Sequence, residues 1–293
     1  MAATIYGSDM RCATILLFLL AACDGGSDGP RPTTFGGDRP VDLKAPATLT
    51  DGKKYPLVVV LHGYGASGFV QSAYFNTTML PGMDAALVIA PDGTVDAGGK
   101  QFWNADPACC DFGGKNPDDV GYIGKLIDDV IDSWPVDPDQ VFIVGHSNGG
   151  FMAYRMACER ADVIAAIAPL AGLASSDPAA CNPSRPVSVL HMHGTVDDTV
   201  PYGPLSAVGT LGALGSVAQW SQHNGCGTTR TPAGDLDIVP ALPGAETHRS
   251  TEVGCPAEGA IELWAIEGAG HIPVFGPSFL PTLMQWFTAH HRS

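Results

Sequence analysis

Short apolar blocks recur along the chain without polar alternation. They lie at 57–61 (LVVVL), 86–90 (ALVIA), 141–144 (VFIV), 163–168 (VIAAIA), 187–192 (VSVLHM) and 261–266 (IELWAI). A strand covered on both faces reads this way, as in a parallel sheet. The stretch 41–49 is a weaker strand candidate. Between the blocks the spacing changes. Over 118–134, Val120, Ile123, Ile127, Val130 and Ile131 mark one face of a helix that Pro135 stops. Residues 149–160 and 212–223 read as further helices. The alternation predicts an α/β fold: a mostly parallel sheet with helices on both faces. No internal repeat is visible, and 41–293 reads as one domain.

The third block runs directly into Gly145-His146-Ser147-Asn148-Gly149, and a helical pattern, FMAYRMA, follows. A serine raised on a tight strand-to-helix turn needs neighbours without side chains, which a GxSxG supplies. A serine hydroxyl is a poor nucleophile at neutral pH. It needs a base, and the base needs an orienting carboxylate. In this architecture the acid follows the serine and the histidine comes last. Block 187–192 leads into His193-Gly194-Thr195-Val196-Asp197-Asp198, and block 261–266 into Glu267-Gly268-Ala269-Gly270-His271. Parallel strands deliver both loops to the edge that carries Ser147. The expected catalytic set is Ser147, Asp197 and His271. Asp198 is an alternative acid, and His223 and His248 are alternative bases. His191 and His193, two apart on one strand, face one way and read as a core or hydrogen-bonded pair in preference to a metal pair. Acyl transfer also needs donors for the developing oxyanion. The backbone N–H of Asn148 is one. The N–H of Tyr64 is assigned as the other, from His62-Gly63-Tyr64-Gly65 after the first block, where His62 braces the loop.

With those elements in place, the sequence resembles the secreted α/β-hydrolases that include feruloyl esterases and polyhydroxybutyrate depolymerases. The stretches LVVVLHGYGAS, APDGT, FWNADPACC, DDVGYIGKLIDDVIDSWPVDPDQVFIVGHSNGGFMAYRMAC, HMHGTVDDTVPY, and NGC with a later EGAGH carry the likeness, in order, over 57–271. The resemblance implies an α/β-hydrolase fold, the triad Ser147, Asp197 and His271, and oxyanion donors at Tyr64 and Asn148. It also implies that Trp103 and Asn104 lie near the substrate pocket, and that no metal or organic cofactor is required. Two features depart from the family. A tryptophan-bearing turn commonly follows the histidine there, whereas Ile272-Pro273-Val274-Phe275 follows His271 here. His146 also stands where a methionine or another residue is often found. The connection 169–186 is short, so no large lid is expected. An open site would take bulky or polymeric esters: feruloyl esters or polyhydroxybutyrate-type polyesters, with acetylated xylan or general carboxylic esters as alternatives. The contrary reading is a non-catalytic binding protein on the same fold; such proteins usually lack the serine or the histidine, and both are present.

The N-terminus changes the setting. Arg11 precedes an apolar run over 13–22, and Leu20-Ala21-Ala22-Cys23 closes it. The run is too short to span a bilayer, which takes about 20 residues. It reads as a signal peptide over 1–23, with Met10 a tidier start. LAAC resembles the bacterial lipobox, which makes Cys23 a lipidation site and places the protein in the periplasm or at the cell surface, or else makes it secreted. Lipid would be its one hold on a membrane. Residues 24–40, rich in Gly, Pro, Ser and Asp, read as a flexible tether. The formal charge of −15 excludes a nucleic-acid partner. Export also governs the cysteines. Six remain beyond the signal region, an even number that suggests disulfides in an oxidising compartment. Many pairings are open; the expected ones are Cys158–Cys181 and Cys226–Cys255, each closing a modest loop. Cys109 and Cys110 are adjacent, and their state is left open.

Overall fold

A computed structural model of the chain describes residues 30–204 and 209–292. The expected signal region, Cys23 and the start of the tether lie outside the described residues. In chain order the strands and helices are β1 (Thr34–Phe35), β2 (Val41–Asp42), β3 (Tyr55–Leu61), α1 (Gly68–Tyr74), β4 (Leu87–Ile89), β5 (Thr94–Val95), β6 (Gln101–Phe102), α2 (Asp119–Ser133), β7 (Val136–His146), α3 (Asn148–Glu159), β8 (Ala166–Leu170), β9 (Ser188–Gly194), α4 (Gly212–Asn224), β10 (Arg230–Leu236), β11 (Thr247–Glu252), β12 (Ile261–Ile266) and α5 (Phe279–Ala289).

Eight strands form one sheet in the order β10-β11-β12-β9-β8-β7-β3-β4. From β12 to β4 every pairing is parallel. The six apolar blocks give its parallel run from β12 to β4, and the reason for their pattern is visible in β3. Leu57, Val59 and Leu61 point into a core shared with α2, α3 and α4. Val58 and Val60 point into a second core closed by α5. A strand with a core on each side has no solvent face to mark with polar residues. The block expected at 163–168 is shifted, because the Val163 and Ile164 N–H groups both donate to Arg160 O and close a turn after α3.

β10 and β11 were not expected. They are polar (RTPAGDL and THRSTE) and half-exposed. They pair antiparallel onto β12 and extend the sheet at its edge. Residues 212–252 thus supply α4 and the sheet edge. α5, also unexpected, buries Phe279, Leu280, Leu283, Trp286 and Phe287.

The tether expected over 24–40 is corrected at its C-terminal side, because Pro32–Ser293 forms one compact unit. Phe35 is buried in β1, which pairs with β2. The Arg39 guanidinium reaches Asp119 at 2.7 Å and lies 3.6 Å over the Tyr122 ring. Asp119 is fully buried, so this cation from the supposed linker partners an interior carboxylate. Of the weak strand candidate over 41–49, only β2 and a single bridge from Lys44 to Val88 form. Among the described residues three disulfides are present: Cys158–Cys181 and Cys226–Cys255, the expected pairs, and Cys109–Cys110.

Candidate active site

Parallel strands bring the ends of β3, β7, β9 and β12 to one edge of the sheet, and the site residues follow them. Ser147 joins β7 to α3 with φ 53° and ψ −120°. That left-handed conformation is unfavourable for a residue with a side chain, by about 1–3 kcal/mol, and it lifts the hydroxyl off the strand. Ser147 is partly exposed while both its neighbours are buried. The flanking glycines are required sterically. A Cβ on Gly145 would sit 2.1 Å from Gly149 O, and one on Gly149 would sit 2.2 Å from Leu61 O.

Asp197 and His271 meet across the loops of β9 and β12. Asp197 Oδ2 accepts from His271 Nδ1–H at 2.8 Å. The other oxygen, Oδ1, accepts the Thr199 and Val200 N–H groups at 2.9 Å each. Burial pushes the Asp197 carboxyl up, but bonds from His193, His271 and the Val200 N–H together hold it well below the usual carboxylate range. It is therefore ionised at neutral pH. Asp198, the alternative acid, is exposed. His248 is exposed and 3.2 Å from Asp235, and His223 packs on Trp220, so neither alternative base meets a carboxylate of the site. With Nδ1–H committed to Asp197, His271 leaves Nε2 as its basic nitrogen. Ser147 forms no hydrogen bond to that ring among the described residues.

The His62–Gly65 loop passes over the elbow: a Cβ on Gly63 would lie 3.4 Å from Ser147 Cβ and 3.3 Å from His146 Nδ1. His62 braces it from below. Its Nδ1–H donates to Gly63 O at 2.8 Å and its Nε2 accepts from Gly93 N–H at 2.9 Å. The Tyr64 N–H donates to no backbone acceptor among the described residues.

Trp103 is not a pocket wall, which corrects the expected substrate contact. It is fully buried, its ring 4.9 Å from His62, its Nε1–H donating to His62 O. A side chain without exposed surface has none to offer a ligand, and this one supports the loop. Asn104 does line a cavity, of about 580 Å³, together with Phe112, Phe151, Tyr154, Arg155 and Trp220. Phe151 is one turn along α3 from Ser147, and the 73% exposed Phe112 packs edge-on against Tyr64 at 5.4 Å. Ser147, Asn148, Tyr64, Asp197 and His271 themselves do not line it.

Three features escaped the sequence. The Asn148 side chain clamps the Trp103 main chain, accepting its N–H at 2.7 Å and donating to its C=O at 2.9 Å. His146 Nε2–H donates to His271 O at 2.9 Å. Tyr74, on α1, donates to Pro273 O at 2.7 Å. Each is a long-range contact to a main-chain atom, which has no signature in residue type. Among the described residues, no three His, Cys, Asp or Glu side chains converge as a metal site does.

A parallel sheet wound on both sides, with a strained serine between β7 and α3 and a carboxylate–histidine pair after β9 and β12, defines an α/β-hydrolase. The chain belongs to the phospholipase/carboxylesterase family, whose model matches residues 49–210. It is 34% identical over 198 residues to feruloyl esterase B of Piromyces equi, covering 64% of this chain and 36% of that protein. The chain therefore spans about a third of that relative's length. It is 26% identical to feruloyl esterase D of Neurospora crassa, covering 91% of both. The structure is similar in fold to an acetyl xylan esterase from Aspergillus awamori, with a TM-score of 0.63 at 16% identity over 89% of this chain and 96% of that one.

Proposed function

We propose that the protein is an exported serine carboxylic-ester hydrolase acting on esters of polysaccharide-bound aromatic acids, the feruloyl class. The observation that carries the reading is the Asp197–His271 hydrogen bond at 2.8 Å beside a serine held at φ 53°. In the first step His271 Nε2 takes the proton of Ser147 Oγ as the oxygen attacks the ester carbonyl. The developing oxyanion rests on the N–H groups of Tyr64 and Asn148. The intermediate collapses, His271 returns the proton to the departing alcohol, and an acyl-enzyme remains. His271 then deprotonates a water, which attacks the acyl carbon and frees Ser147 and the acid. Asp197 keeps the imidazole oriented and stabilises its charged form. No step calls for a cofactor.

The names of the similar proteins support the substrate class, and so does the cavity. Asn104 and Arg155 offer polar groups beside the exposed Phe112 ring, a mixture that suits a hydroxyl-rich leaving group. A polyhydroxybutyrate-type polyester is the second reading. It is favoured by Val196, Ile272 and Val274, apolar side chains 60%, 62% and 71% exposed on the Asp197 and His271 loops. Export, with a lipid on Cys23, belongs to the same proposal and is supported by the signal pattern and three disulfides.

The test compares release of ferulate from methyl ferulate with cleavage of a 3-hydroxybutyrate oligomer, using Ser147→Ala as the control. Faster ferulate release, lost in the variant, is the expected result. Faster oligomer cleavage would move the assignment to polyesters. A Ser147→Ala protein that still hydrolyses p-nitrophenyl acetate at the parent rate would end the serine mechanism.

A further inference from the structure

β9 carries two fully buried histidines that this hydrolysis does not use, His191 and His193. Two residues apart, they face the same side of the sheet, under α3 and α4. They stand in a line. Tyr154 Oη is 2.7 Å from His191 Nδ1, His191 Nε2 is 3.1 Å from His193 Nδ1, and His193 Nε2 is 2.7 Å from Val200 O. The same Nε2 lies 3.4 Å from Asp197 Oδ2.

Proton placement follows from the far end. Val200 O is a carbonyl and can only accept, so His193 carries its proton on Nε2. With one proton on the ring, His193 Nδ1 is an acceptor, and His191 must donate from its own Nε2. That leaves His191 Nδ1 to accept the Tyr154 hydroxyl proton. Burial, the neighbouring His193 and Arg230 all push His191 below its ordinary range, in keeping with a singly protonated ring. Every donor in the line points toward the acid loop.

That loop is gripped from both sides. Asp197 Oδ1 holds the Val200 N–H, while Val200 O is held by His193. His193 also flanks Oδ2, the oxygen that binds His271. We propose that Tyr154, His191 and His193 form a positioning relay that fixes the Asp197 carboxylate and, through it, the His271 ring. The proposal rests on the triad reading above. None of the three residues touches the reacting atoms. They act by denying the 197–200 turn the freedom to rotate its carboxylate away, and a chain of oriented hydrogen bonds resists that rotation more than one bond would. Tyr154, at the head of the line, is also a wall of the 580 Å³ cavity.

The experiment measures kcat and KM of the full chain on p-nitrophenyl acetate, with melting curves, for three variants. His193→Leu keeps bulk and removes the donor, His193→Gln restores an amide donor near Nε2, and Tyr154→Phe removes only the head hydroxyl. Each is made alone and on Asp197→Asn. Misplacing the acid by an ångström is expected to lower kcat up to about a hundredfold for His193→Leu, with KM unchanged. His193→Gln should recover most of the loss, and Tyr154→Phe should show a smaller loss. On Asp197→Asn, none of the three should lower kcat further, because the group they position is already disabled. A structural role alone would instead give equal losses in both backgrounds, and that result overturns the relay. If His193→Leu fails to fold, His193→Gln and Tyr154→Phe carry the same comparison. An inactive Ser147→Ala beside an unaffected His193→Leu overturns the relay alone. A fully active Ser147→Ala overturns the triad and the relay together.

Discussion

His146, the residue just before the elbow serine, holds the main chain of His271, the partner of Asp197, through a 2.9 Å hydrogen bond from its Nε2–H to the His271 carbonyl. The two rings lie 4.8 Å apart, and Tyr74 packs against His146 at 5.7 Å while donating to Pro273 O. The contact ties the end of β7 to the loop after β12. Burial drives the His146 pKa down to about 4, from an ordinary 6.5. Folded His146 thus binds fewer protons than the unfolded chain between those values. Stability from this group is present above pH 6.5 and is lost as pH falls toward 4, by on the order of 3 kcal/mol. Denaturant midpoints at pH 7 and pH 4.5 check it: His146→Gln, which keeps a donor but cannot titrate, should lose less than the parent. Equal losses would assign the acid sensitivity elsewhere.

The elbow glycines should tolerate nothing larger. Gly149→Ala drives a methyl to 2.2 Å from Leu61 O, whereas Gly113 has nothing within 4 Å of an added Cβ. Gly149→Ala is expected to destabilise by about 3 kcal/mol or more, and Gly113→Ala by less than about 0.5 kcal/mol. Thermal unfolding of the pair decides it, and a Gly149→Ala protein as stable as the control would mean the turn can open.

Arg39 belongs to the folded unit, so trimming the chain to residue 41 should be damaging. It strips the cation from Asp119, a fully buried carboxylate that also accepts the Asn104 N–H at 2.8 Å. Breaking one side of a buried pair is destabilising by about 3–5 kcal/mol. Arg39→Ala should reproduce most of that loss in a melting experiment. A chain started at Val41 that melts with one started at Pro32 would contradict the assignment.

Phe112 is an exposed ring that lines the cavity and packs edge-on against Tyr64. Phe112→Ala should raise KM severalfold for a feruloylated oligosaccharide and leave p-nitrophenyl acetate unaffected, since the small ester does not reach the cavity. A parallel loss on both esters would place Phe112 in support of the Tyr64 loop.

The sequence by itself determined what depends on local pattern. Unbroken apolar blocks marked strands covered on two faces, and the order serine, acid, histidine at their ends marked the loops that share an edge. It was mute where a residue's meaning lies in a distant partner. Polar β10 and β11 resemble loops until β12 offers them an edge. Arg39 resembles linker until Asp119 is buried beneath it. Trp103 suggested a pocket wall by resemblance, and only packing against His62 put it inside. Tertiary structure also separates Asp197 from Asp198, adjacent carboxylates of one turn. One is turned inward to two backbone amides and His271, the other outward to water, and chain geometry sets that difference.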